Sequence, residues 1–130
     1  MPELTKARPK YLNLAEIRLP IAGYASILHR ISGAGLFLML PLLVWLLGLS
    51  LGSPEAQETF RAVTGNIIVR LVLFGLSWAY LHHFCMGIRI LLIDVHVGVE
   101  KQQAAASAKA VLAVSLSLTV LVALKFLGVL

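Results

Sequence analysis

Five side chains in this sequence have the types and the spacing for shared chemistry. Ser26, His29 and Arg30 stand within Ser26-Ile27-Leu28-His29-Arg30-Ile31-Ser32-Gly33, directly before a long apolar stretch. His83 and Arg89 stand in a second apolar stretch, six residues apart. A hydroxyl and a guanidinium four residues apart share a helix face and can together bond a carbonyl oxygen and stabilise added negative charge. That suits a quinone head group. An imidazole in an apolar zone, with cations nearer water, suits a b-type haem: the iron takes an axial nitrogen and the propionates take cations or donors.

The elements that position these groups follow from composition. The chain has 130 residues, 59% of them hydrophobic and 13% charged. Soluble domains carry about 25% charged residues, so this is an integral membrane protein. Three stretches are long enough to span. The first, 31–51, has no charged residue in 21 positions and covers roughly 31 Å as a helix, about one hydrocarbon core. The second is 66–93, with Arg70 and Arg89 bounding its uncharged part. The third is 104–127, with Lys109 and Lys125 near its ends. Backbone polar groups in lipid must be paired internally, so all three are read as helices. Residues 1–30 are then a cytoplasmic segment and interfacial lead-in. The fold class is an all-α membrane protein with three transmembrane helices. Ser53 and Pro54 read as the cap and first residue of a short helix between spans one and two.

Basic residues fix the orientation. Lys6, Arg8, Lys10, Arg18, Arg30, Arg89, Lys101 and Lys109 fall at one side, and Arg61, Arg70 and Lys125 at the other. Eight against three puts the N-terminus in the cytoplasm. Span one starts at that side and span two ends there, so His29, Arg30 and Arg89 share a level. His83 then lies roughly 9 Å deeper than Arg89. Gly87, four residues after His83, leaves space for a flat macrocycle on the same face.

Each of these residues also has a plainer reading. His83 could bond only a carbonyl on another helix. His82 points about 100 degrees away from it and reads as a packing or interhelical bonding residue. Ser26 and Arg30, taken alone, favour a helix-entry residue and a membrane anchor. Asp94 reads as a solvated helix-end acid and His96 as an exposed loop residue. Cys85 is read as a small packing residue. The two runs Pro9-Lys10-Tyr11-Leu12-Asn13-Leu14 and Ile17-Arg18-Leu19-Pro20 alternate apolar and polar residues. They suggest an irregular interfacial arm with a short helical turn, either a membrane-surface arm or a docking strip. No basic-aromatic groove suggests nucleic acid, and nothing suggests zinc, a nucleophilic triad or a phosphate loop. Residues 1–10 resemble neither a secretory signal nor a transit peptide, which points to a bacterial protein.

Two motifs, taken in order, resemble the cytochrome b subunit of succinate dehydrogenase, the large membrane anchor of respiratory complex II. The first runs Arg8-Pro9-Lys10-Tyr11-Leu12-Asn13-Leu14, Ile17-Arg18-Leu19-Pro20 and Ser26 to Gly33. The second is His83-Phe84-Cys85-Met86-Gly87-Ile88-Arg89 with Asp94. The family often has a histidine directly after Gly-Ile-Arg, where this chain has Ile90. The resemblance implies a multi-subunit helical bundle with haem b between subunits. His83 matches the axial iron ligand, the second axial histidine being on a partner anchor. Ser26 and Arg30 match ubiquinone-site positions, and His29 and Arg30 match residues near the haem propionates. The implied partners are a second small anchor subunit, an iron–sulfur subunit and, through it, a flavoprotein, all at the bacterial inner membrane. This chain itself would hold no catalytic succinate site. A fumarate reductase anchor and a haem-free structural anchor are the alternatives, and an absorbance spectrum separates the second of these.

Overall fold

The computed structural model describes residues 10, 11 and 13–129. The part of the first motif that falls on residues 1–9 and 12 lies outside them. Four helices follow in order: α1 Ile21–Ser50, α2 Pro54–Gly65, α3 Ile67–Asp94 and α4 Lys101–Phe126. Among the described residues there is no strand. α1, α3 and α4 are each long and apolar enough to cross a membrane. They form an antiparallel bundle with α3 between the other two, α1 and α4 also touching, and α2 joining the ends of α1 and α3.

Ahead of the bundle, Asn13 builds one turn. Its side chain accepts from the Ala15 amide at 3.1 Å and its carbonyl accepts from Glu16 and Ile17. Helix α1 then starts just after Pro20, ten residues ahead of the uncharged stretch. Proline favours an extended residue before the helix, and its carbonyl accepts the Gly23 and Tyr24 amides. The helix has 30 residues, about 45 Å, against a hydrocarbon core of about 30 Å. The excess turns carry Ser26, His29 and Arg30. The helix runs on through Pro41, a residue that membrane helices tolerate.

The short helix read at Ser53-Pro54 is α2. Ser53 is its cap, accepting from the Ala56 amide at 3.4 Å, and Pro54 opens it. The Ser53 hydroxyl also holds the Glu55 carboxyl below its ordinary pKa through a hydrogen bond. Asn66 caps α3, accepting from the Ile68 and Val69 amides at 2.9 and 3.4 Å. The turn from α3 to α4 reverses through left-handed backbone at His96 and Gly98, with φ of 62° and 73°. Glycine takes that conformation without steric cost.

The buried apolar core is small and lies at one end of the bundle. Ala25, Met86, Ala108 and Val111 form it, with Ile21, Ala22, Cys85 and Ile90 packed around. Cys85 thus has the packing surroundings expected of it. Small residues let α4 approach its neighbours: Ala108, Ser115 and Thr119 are buried. Large apolar side chains elsewhere face outward, Phe37 being 74% exposed, as suits lipid or partner helices.

Candidate functional site

The polar cluster sits beside this core, where the early turns of α1 meet the later turns of α3. His83 is half-buried, and its Nδ1 lies 3.1 Å from the His29 carbonyl and 3.3 Å from Ser32 Oγ. The Ser32 hydroxyl donates to the same His29 carbonyl at 2.9 Å. A carbonyl only accepts, so Nδ1 of His83 carries the proton and donates. Nε2 then keeps its lone pair. An imidazole whose other nitrogen donates to a backbone carbonyl is the usual arrangement of a metal-ligating histidine. The plainer reading of His83 and the ligand reading therefore use different nitrogens of one ring.

The ring is held from its faces as well. His29 stacks on it, with centroids 4.1 Å apart and planes at 11°. Gly33 permits the approach: a Cβ there would fall 2.8 Å from His83 Cε1. Gly87, one turn beyond His83, has no atom within 4 Å of the place its Cβ would occupy. An open helix face one turn from His83 is what a flat macrocycle lying against α3 would require. A Gly33→Ala substitution is expected to push the imidazole off the His29 carbonyl. Loss of such an orienting contact weakens metal-site affinity about tenfold or more. The haem-to-protein ratio of the purified complex measures it, and an unchanged ratio would contradict this role.

His82 is enclosed, with 0% of its surface exposed. Its Nε2 lies 3.2 Å from the Ala25 carbonyl, and Trp78 stacks on it at 5.5 Å. By the same rule Nε2 donates and Nδ1 keeps the lone pair. That Nδ1 is buried with no hydrogen-bond partner. The two neighbouring histidines thus hold opposite tautomers, and His83 is the one with exposed surface.

Ser26 is half-buried and Arg30 exposed, four residues apart on α1. Arg89 does not join them. It is 8% exposed and turns towards α4, donating from Nε to Ser107 Oγ at 2.9 Å and from Nη2 to the Ala104 carbonyl at 3.1 Å. Its direction is set by acceptors on a helix whose register the sequence does not announce. Arg89 ties α3 to α4, and Arg30, next to His29 in sequence, has no hydrogen-bond partner among the described residues. Asp94 and His96 are exposed at the end of α3 and in the loop.

Comparison with known proteins gives the same direction. The family described as succinate dehydrogenase/fumarate reductase transmembrane subunit matches residues 5–122. A succinate dehydrogenase cytochrome b556 subunit of Paracoccus denitrificans is 34% identical over 119 residues, covering 92% of each chain. The protein of that name from Rickettsia felis is 32% identical over 96 residues, 74% of each chain. That from Coxiella burnetii is 35% identical over 89 residues, 68% of this chain and 71% of its own.

Proposed function

We propose, on the premise that the chain belongs to the succinate dehydrogenase/fumarate reductase transmembrane subunit family, that it is the haem b-binding membrane anchor of a succinate dehydrogenase. Succinate is oxidised on other subunits, and the electrons reach ubiquinone at the cytoplasmic side of the bacterial inner membrane. The partners are a second small anchor subunit, an iron–sulfur subunit and a flavoprotein docked through it. His83 is the imidazole of this chain that would hold the iron, and a second histidine would come from the partner anchor. The observation that carries this reading is the contact of His83 Nδ1 with the His29 carbonyl, which calls for a proton on Nδ1 and leaves Nε2 to ligate.

The residues divide the work by their chemistry. His83 Nε2 would hold the haem iron, and Gly87 would leave room for the macrocycle. His29 and Arg30 face the propionates, Arg30 as the fixed charge. A haem b bound there supplies a one-electron carrier within the anchor. Ser26 and Arg30 donate hydrogen bonds to a quinone carbonyl oxygen, and the guanidinium stabilises the negative charge that builds on that oxygen during reduction. A short N-terminal arm with exposed Tyr11, Leu14 and Ile17 supplies apolar contacts on the side where the iron–sulfur subunit docks.

Purification of the complex tests the reading as a whole. The expected preparation contains two small anchors, an iron–sulfur protein and a flavoprotein, with a b-type spectrum and succinate:ubiquinone reductase activity. A complex of the same subunits lacking haem would return this chain to the class of structural anchors.

A further inference from the structure

The reading above leaves one buried titratable group unused. His82 fills its enclosed site with one nitrogen unpartnered, and a buried polar atom without a partner is unfavourable. An aliphatic side chain would fill the same space without that penalty. Packing alone therefore does not account for an imidazole here. Its other nitrogen meets the Ala25 carbonyl at 3.2 Å, and Ala25 directly precedes Ser26.

The neighbouring His83 bonds the His29 carbonyl, four residues further along α1. Two consecutive residues of α3 thus hold two carbonyls one helical turn apart, and that turn carries Ser26. The start of α1 has little else to fix it. Its cap, Pro20, makes no side-chain hydrogen bond. The apolar core beneath it is small: Ala25, Met86, Ala108 and Val111, with Ile21, Ala22, Cys85 and Ile90 packed around.

We infer that His82 is a positioning residue for quinone reduction: its Nε2–H bond to the Ala25 carbonyl holds the Ser26 turn of α1 in register with α3. This rests on the reading that Ser26 and Arg30 bind the quinone. Hydrogen-bonding groups at such a site must stay within roughly 0.5 Å of the productive geometry. A turn freed from α3 fails that requirement even when the helix remains folded. His82 itself touches neither quinone nor iron.

The test compares His82→Gln with His82→Met in the assembled complex, with Ser26→Ala in parallel. Glutamine can still donate to the carbonyl. Methionine has similar size and reach and cannot. His82→Met is expected to raise the KM for ubiquinone roughly three- to tenfold, the range of one net hydrogen bond, while His82→Gln stays within about twofold of the parent. Both variants are expected to keep the b-type absorbance and the oxidation of succinate by an artificial acceptor. Equal behaviour of the two variants, whether both normal, both impaired or both unassembled, would overturn the inference. If Ser26→Ala raises the KM and His82→Met does not, the inference fails and the quinone reading stands. If Ser26→Ala has no effect, the quinone reading fails and this inference falls with it.

Discussion

Replacing His83 by alanine is expected to remove the b-type absorbance of the complex, and replacing His82 by alanine to leave it. The asymmetry follows from which nitrogen each ring has free. His83 donates from Nδ1 to the His29 carbonyl and keeps a lone pair on Nε2, with part of its surface exposed. His82 spends Nε2 on the Ala25 carbonyl, and its remaining lone pair is walled in. A macrocycle cannot reach a nitrogen enclosed on every side. The reduced-minus-oxidised spectrum of the two purified variants is the check. The reverse pattern would move the iron to His82 and remove the argument from tautomers.

The second large effect is on quinone reduction. If Ser26 and Arg30 bind the quinone as proposed, Ser26→Ala or Arg30→Ala is expected to lower succinate:ubiquinone reductase activity by at least about tenfold, the arginine change being the larger because a charged donor is lost. Oxidation of succinate by an artificial acceptor is expected to remain, since the proposed function assigns the flavin and iron–sulfur centres to other subunits. Arg30→Lys restores little, since a point charge on a flexible stem does not reproduce the planar fork of donors. Equal loss in both assays would indicate failed assembly instead of a damaged quinone site.

Much of this architecture is legible in the amino-acid sequence because membranes impose simple rules. Apolar stretches of helical length announced α1, α3 and α4, and Ser53-Pro54 announced α2. The start of α1 was less clear. The uncharged stretch marks where charge ends, whereas Pro20 and its carbonyl mark where the helix begins, and the residues between the two carry the site. The interhelical bonding expected of His82 is present in its contact with Ala25.

Two features depend on register and could not be read from spacing. The sequence groups Arg89 with Arg30 by charge and placement, yet the Arg89 guanidinium goes to Ser107 and Ala104 on α4. That choice depends on how α4 sits, and small residues such as Ala108 and Ser115 set this by allowing close approach. The opposite tautomers of His82 and His83 depend on which α1 carbonyl each ring meets. Adjacent histidines look equivalent in a sequence. They differ only once α1 is laid antiparallel to α3, with Gly33 against one ring and Ala25 against the other. The one sequence signal that separated them was the Gly87 spacing, which marks the His83 face as the roomy one.

The most direct test of the central claim is a density map of the assembled, haem-loaded complex at a resolution that separates imidazole nitrogens by their contacts. The account predicts iron on His83 Nε2, with His83 Nδ1 still on the His29 carbonyl and His82 Nε2 still on the Ala25 carbonyl. Iron bonded to His82, or a His83 ring turned so that Nδ1 leaves the carbonyl and faces the metal, would contradict it.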